Sequence, residues 1–178
     1  EAGLPFWIVP QMFNFRRYFP ATAQAETFRF PSANEFRSMI LLAAGYEPRG
    51  YVFYTYDPLC KPDPKLDGNT EENLKTIRHG IGMLRKLEPF LLSGKPVKKL
   101  PVKTIKGDIR AWEFSDGNGS RRVAVVALGP GTAEAEITVG APEQLQSVYG
   151  KTVLKNGKWL FRAENIDSDL LSYDKEMK

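Results

Sequence analysis

The sequence has little of the chemistry that defines a metal, thiol or phosphate site. It contains one cysteine, Cys60, and one histidine, His79. One cysteine excludes a disulfide within the chain, and His79 has no ligand-type residues at metal spacing around it. No glycine-rich phosphate loop is present either. We therefore expect no metal and no cofactor, and interpret Cys60 as a bystander thiol and His79 as a surface or packing residue.

Blocks of like charge and long apolar runs are also missing. The net charge is +4, but basic and acidic residues alternate, and no basic block exceeds two residues. A nucleic-acid interface concentrates positive charge on one face, and a membrane helix needs about 20 consecutive apolar residues. We expect neither nucleic acid nor membrane as a partner. The 42% of hydrophobic residues argues against disorder.

The first half of the chain begins with a strand signal and then a helix signal. Leu4–Pro10 is a short apolar run, typical of a strand buried on both faces. An aromatic and basic loop, Gln11–Phe30, follows it. Ser32 and Glu35 have the spacing of a capping box, which predicts a helix start, and Gly45 is a suitable stop.

A second strand and a second helix complete this half. Tyr51–Tyr56 is rich in aromatic and β-branched residues, and Thr70–Leu87 has helical periodicity that Pro89 ends or kinks. The order strand, helix, strand predicts that the two strands are parallel and joined by a right-handed crossover. Two helices cannot cover both faces of such a pair. Since the sequence opens on Glu1, we expect missing strands to come from preceding sequence or another chain, or the segment to rearrange.

Short strands separated by turns occupy the second half, from about Gly94 to Ser172. Asn156-Gly157 is a strong hairpin signal. This pattern favours a self-contained antiparallel β-sandwich over residues 94–178, with a partial α/β unit over 1–93. The strand candidates are 97–105, 109–114, 122–128, 134–139, 145–149, 152–155, 158–162 and 169–173. The expected core contains Ala111, Val123, Val125, Ala127, Ile137 and Val139, and alternation also favours the core over a sugar platform for Trp112 and Trp159.

The order of these elements resembles the end of a glycoside hydrolase (β/α)₈ barrel with an appended domain. Pro5–Phe13 is similar to the seventh barrel strand, and Arg29–Met39 to the start of the helix after it. Gly50–Tyr56 and Leu84–Gly94 resemble the last strand and the last helix, and Leu170–Tyr173 the end of a C-terminal sandwich. The resemblance implies an α/β plus all-β fold: two β/α units of a TIM-type barrel, then a small antiparallel β-sandwich.

Candidate sugar-binding residues follow from this resemblance. Active sites of such barrels lie at the carboxyl ends of the strands, here at Gln11, Phe13, Tyr54, Tyr56 and Asp57. The Gln11 amide suits a sugar hydroxyl, and the aromatic rings suit the apolar face of a sugar, although a core role for Tyr54 remains an alternative.

Neighbouring residues have more ordinary interpretations. Arg16, Arg17 and Tyr18 either border the site or belong to a solvated loop. We expect structural roles for Arg29 and Glu35, with Glu35 closing the helix cap.

The catalytic carboxylate pair is missing from the sequence pattern. Glycoside hydrolysis usually needs two carboxylates about 5 to 10 Å apart. Asp57 is the only acid near a strand end, Glu26 lies in the long loop, and Gln11 stands where the resemblance places a nucleophile. No catalytic residue is assigned, and we expect the isolated chain to hydrolyse no glycoside.

The leading hypothesis is therefore the C-terminal portion of a carbohydrate-active enzyme. Its partners would be a carbohydrate and the remaining barrel segment or another copy of the chain. The location would be extracellular or periplasmic. The alternative is a non-catalytic carbohydrate-binding or protein-interaction module.

Overall fold

The computed structural model describes residues 5–19, 21, 27–53, 63, 65 and 69–173. The first part contains β1 (Trp7–Ile8), α1 (Ala33–Ala44), β2 (Gly50–Tyr51) and α2 (Thr70–Leu91). An antiparallel sheet follows, made of β3 (Lys98–Lys99), β4 (Val102–Lys106), β5 (Ile109–Ser115), β6 (Arg121–Ile137), β7 (Gln146–Ser147), β8 (Thr152–Lys155) and β9 (Lys158–Ser172). Short 3₁₀ turns lie at Phe15–Arg17 and Pro142–Gln144. No described helix is long and apolar enough to cross a membrane.

Strands β1 and β2 form the predicted parallel pair. Trp7 lies opposite Gly50 and Ile8 opposite Tyr51. The Val52 N–H donates to the Ile8 carbonyl at 2.8 Å, which extends the pairing by one bond. No third strand joins the pair within the described part of the chain. The expectation that 4–10 is buried on both faces is wrong for the described residues, since Trp7 and Val9 are exposed where nothing covers them.

Helix α1 begins at the predicted capping box. Ser32 Oγ accepts from the Glu35 N–H at 3.3 Å, and Glu35 Oε2 accepts from the Ser32 N–H at 2.8 Å. Gly45 ends the helix as expected, but with φ −62°, so the left-handed conformation is not the reason for a glycine. A Cβ there would lie 2.3 Å from the indole of Trp112, so close packing requires the glycine.

Helix α2 continues past the predicted end at Leu87, with Pro89 inside its last turn. Proline at this position leaves the end of the helix in place, because the Leu92 N–H still donates to the Glu88 carbonyl at 2.9 Å. Phe90 is buried and holds the final turn in the core. The helix therefore covers four residues more than the periodicity indicated.

The antiparallel sheet has two long strands where shorter ones were expected. Candidates 122–128 and 134–139 belong to the single strand β6, and 158–162 and 169–173 to β9. Gly129-Pro130-Gly131, which separates the first two candidates in the sequence, forms an irregularity within β6, where the register against β9 shifts between Leu128 and Thr132. The two glycines accommodate it because both have positive φ.

The sheet has a core on each face. One face packs against the two helices, and the other carries a second cluster made of residues from the sheet region itself. The helix-facing cluster includes Phe36, Ile40, Leu87, Phe90, Trp112, Phe114, Ala124, Val126 and Leu170. The second cluster comes from residues 100–171 alone and includes Ala111, Val123, Val125, Ala127, Ile137, Val139, Trp159 and Phe161.

These clusters confirm the predicted core residues. Trp112 and Trp159 are both buried, so neither is a sugar platform. The mixed α/β character and the antiparallel sheet are as expected. The barrel units, the sandwich and the domain boundary near residue 94 stay predictions.

Candidate functional site

Gln11 lies just beyond β1, at the carboxyl end of the parallel pair. Its Nε2 group donates to the Phe13 carbonyl at 2.8 Å and to the Arg29 carbonyl at 3.5 Å. The NH₂ group therefore holds the loop, and the role of Gln11 in sugar binding stays a prediction. Among the described residues nothing donates to its Oε1, which leaves that oxygen as an acceptor for a ligand.

An aromatic cluster surrounds the next part of the loop; it consists of Phe13, Phe15, Tyr18, Phe19 and Phe28. The Phe13 ring lies 4.7 Å from the Phe15 ring and 5.3 Å from the Tyr18 ring in edge-on geometry. Phe28 and Phe19 lie about as close to Phe15, at 6.0 and 6.3 Å. Phe15, Tyr18 and Phe19 are exposed, so the cluster presents apolar ring surface to solvent.

The backbone below this cluster is a capped 3₁₀ turn. Buried Asn14 accepts from the Arg16 N–H through Oδ1 at 2.9 Å. The N–H groups of Tyr18 and Phe19 both donate to the Phe15 carbonyl at 3.0 Å. Tyr18 is therefore part of the cluster and not merely a border residue. The Arg17 side chain is not described.

Arg29 and Glu35 form a two-bond ion pair beside Gln11. Arg29 Nη1 and Nη2 donate to the two carboxylate oxygens of Glu35, each at 2.6 Å. Hydrogen bonding to Arg29, opposed by desolvation and reinforced by the Ser32 N–H, lowers the pKa of Glu35 to about 2. The pair is charged at neutral pH, and the predicted structural role of Glu35 in the helix cap is confirmed.

A cavity of about 360 Å³ lies between this loop and strand β9. Its walls come from three elements: the loop, the first turn of α1, and β9. The residues that line it include Gln11, Phe15, Phe28, Arg29, Glu35 and Ile166. Ile166 is far from the others in sequence and was not a candidate from the sequence.

The remaining predicted site residues have different outcomes. Tyr54, Tyr56 and Asp57 lie outside the described residues, as do Glu26 and Cys60, so their roles stay predictions. Met12, which also follows β1, is buried in the helix-facing core.

His79 lies on the surface of α2, 6.0 Å from the ring of Tyr149. Desolvation, followed by the charges of Arg37 and Lys86, lowers its pKa. The surface or packing role predicted for His79 is therefore confirmed.

A buried polar network joins α1 to β9, and sequence reasoning missed it. Arg37 donates to Asp167 Oδ1 at 2.5 Å and to Ser168 Oγ at 3.1 Å. Ser38 Oγ donates to Ser168 Oγ at 3.0 Å, and Lys151 Nζ lies 2.7 Å from Asp167 Oδ2. The available signal was two adjacent polar residues, Arg37 and Ser38, on the helix face that also carries Phe36. The network fixes α1, and with it the Arg29–Glu35 pair, against the sheet.

The parallel pair also has an exposed apolar face. Trp7 is 62% exposed and Val9 57%, and Val52 is exposed beside them. A separate groove of about 270 Å³ lies between β2 and α2, lined by residues that include Tyr51 and Leu84. Parallel strands are normally covered on both faces, so this surface is typical of one that a further element covers.

Comparison with known proteins gives a likeness of fold. No protein-family model and no curated protein matches the chain. A crystal structure of a substituted AmyP in complex with maltotriose matches 87% of the chain at a TM-score of 0.50 and 11% identity. An alpha-amylase from H. orenii matches 79% at a TM-score of 0.46 and 13% identity.

The fold is similar to part of AmyP. The chain spans 36% of that structure and 38% of the H. orenii enzyme, little more than a third of each. At 11% identity the likeness concerns the fold alone.

Proposed function

We propose that this chain is the C-terminal portion of a carbohydrate-active enzyme, a glycoside hydrolase, located outside the cytoplasm. It contributes part of a sugar-binding site and an accessory β-domain. The observation that carries the proposal is the position of the Gln11 amide oxygen beside the aromatic cluster, at the carboxyl end of a parallel strand. That end of the strands is where barrel enzymes bind their substrates.

The chemistry of the cluster suits a sugar. A pyranose ring has C–H groups on its faces and hydroxyls around its rim. Exposed Tyr18 and Phe19 offer flat apolar surface for the faces, and the Gln11 oxygen accepts from a hydroxyl. AmyP was crystallised with maltotriose, which makes maltooligosaccharides the first ligands to test.

The described residues at this site bind but do not catalyse. Among the described residues that line the cavity, Glu35 carries the only carboxylate, and Arg29 donates to both of its oxygens. A general acid or base works best with a pKa near the operating pH, and the pKa of Glu35 is about 2. The described residues of this site therefore supply no catalytic carboxylate to the proposed enzyme.

The exposed face of the parallel pair provides the contact with the rest of that enzyme. Its open edges and the side chains of Trp7, Val9 and Val52 fit further parallel strands with their covering helices. Without those strands, the same surface pairs two copies of the chain. Trp7→Ser with Val52→Thr should then reduce the mass in solution measured by analytical ultracentrifugation. A Val153→Thr variant, also exposed, is the control.

Titration with maltotriose tests the sugar site. Tyr18→Ala and Phe19→Ala should each weaken binding about two- to tenfold, the worth of one aromatic contact. Tyr46→Ala, an exposed aromatic next to Trp112 and away from the cluster, should leave binding unchanged. Equal losses in all three variants, or no binding by the parent chain to any of a panel of oligosaccharides, would contradict the proposal. Turnover of aryl glycosides by the isolated chain would contradict the proposal that the chain is only part of the catalytic unit.

A further inference from the structure

The cavity between the loop and β9 adjoins the aromatic cluster but is distinct from the exposed face of that cluster. Phe15 belongs to both, since its ring lies 6.0 Å from Phe28 and both residues line the cavity. At about 360 Å³ the cavity lies within the range of small-molecule sites, about 300 to 1,000 Å³. A ligand longer than one sugar ring therefore reaches from the exposed aromatic residues into this cavity.

The polar groups of the cavity match a neutral polyol. Arg29 has five N–H groups; two donate to Glu35 and one to the Phe30 carbonyl, which leaves two. Glu35 Oε1 accepts one bond and has room for another, and the Gln11 Oε1 is open. Donors and acceptors thus lie side by side, as neighbouring hydroxyls require. Because the two charges pair with each other, the cavity favours neither an anion nor a cation.

The apolar part of the wall comes from two distant segments. Phe28 supplies a ring on one side and Ile166 of β9, 38% exposed, an aliphatic surface on the other. The buried network of Arg37, Asp167 and Ser168 holds these walls together, since it begins one residue after Ile166 and two residues after Glu35. The cavity is thus held open by groups that do not themselves contact a ligand.

We propose that this cavity is a second sugar subsite, in which Arg29 and Glu35 bind adjacent hydroxyls and Phe28 and Ile166 enclose the ring. It rests on the proposed function and extends it: the ligand is an oligosaccharide that runs from the aromatic cluster to the β-sheet, and the sheet contributes directly to binding through β9. The substrate is therefore a chain of several neutral sugars.

A length series on the full chain tests this subsite. Maltose, maltotriose and maltopentaose are titrated against the parent chain, Ile166→Trp, which fills the cavity, and Ile105→Trp, an exposed control on β4. We expect affinity to rise at least tenfold from maltose to maltopentaose in the parent and in Ile105→Trp. Ile166→Trp should remove that rise and leave maltose binding unchanged.

Arg29→Gln provides an independent variant if Ile166→Trp does not fold, and should also flatten the length dependence. A circular dichroism melt identifies variants that are unfolded. Length-independent binding by the parent, or an unchanged rise in folded Ile166→Trp and Arg29→Gln, would overturn the subsite while the aromatic cluster stands. Absence of binding to all three sugars would overturn both this subsite and the proposed function.

Discussion

Arg37 and Asp167 form a buried ion pair across 130 positions of sequence. Their side chains are 7% and 3% exposed, and Nη2 of Arg37 lies 2.5 Å from Oδ1 of Asp167. The Arg37 guanidinium also lies 4.0 Å from the centre of the Tyr149 ring. Both charges have several partners, so helix α1 is held in one position against β9.

Removing one member of this pair should be strongly destabilising. Asp167→Ala leaves the Arg37 charge buried without its carboxylate, which costs about 3 to 5 kcal/mol in the free energy of unfolding. Lys103→Ala, which breaks an exposed pair with Glu136, should cost no more than about 1 kcal/mol. Urea unfolding measures the loss of unfolding free energy in both variants. Similar losses would show that the buried pair stabilises the protein no more than the exposed pair does.

Two glycines on α2 should respond in opposite ways to alanine. A Cβ on Gly80 would lie 2.4 Å from the Phe36 ring, so Gly80→Ala should destabilise the protein by about 1 to 3 kcal/mol. A Cβ on Gly82 has nothing within 4 Å, so Gly82→Ala should stabilise it by about 0.5 to 1 kcal/mol through helix propensity. Thermal melts measure both effects. A Gly80→Ala variant as stable as the parent would mean that α1 and α2 are further apart than the structure shows.

The Arg29–Glu35 pair should make stability depend on pH in the acid range. The pKa of Glu35 falls from the ordinary 4.5 to about 2 on folding. A depressed carboxyl pKa stabilises the folded state above the unfolded pKa, and that contribution is lost as pH falls towards the folded pKa. The difference in unfolding free energy between the parent and Glu35→Gln should therefore shrink between pH 4.5 and pH 2. Glu143→Gln, at an exposed position, controls for loss of one charge.

Residues 94–178 should fold without the first part of the chain, but expose a large apolar face. Their own core includes Val123, Val125 and Phe161, which supports a cooperative melt. Trp112 and Phe114 pack against the helices in the full chain, so the isolated segment should bind a hydrophobic dye and associate. Dispersion-free NMR spectra and a non-cooperative melt would contradict the first expectation, and a clean monomer without dye binding the second.

The sequence by itself determined the features that depend on neighbouring residues. The capping box of Ser32 and Glu35 and the continuous apolar run from Val123 to Ala127 each involve a few neighbouring positions, so their patterns are readable. The order of strand and helix signals was enough for the parallel pair, because a crossover helix and right-handed connectivity leave one common solution. The position of Gln11 and Phe13 just after β1 also followed from the strand signal, whereas their role in sugar binding stays a prediction.

Only the tertiary structure decided which distant groups meet. Ile166 completes the cavity, and Asp167 receives Arg37, across more than a hundred residues. The role of Gly45 depends on the indole of Trp112 beside it, and the Gln11 NH₂ group is occupied because the loop returns to Arg29. Such contacts depend on how packed layers come together and not on local spacing, and for that reason they carry no pattern in the sequence.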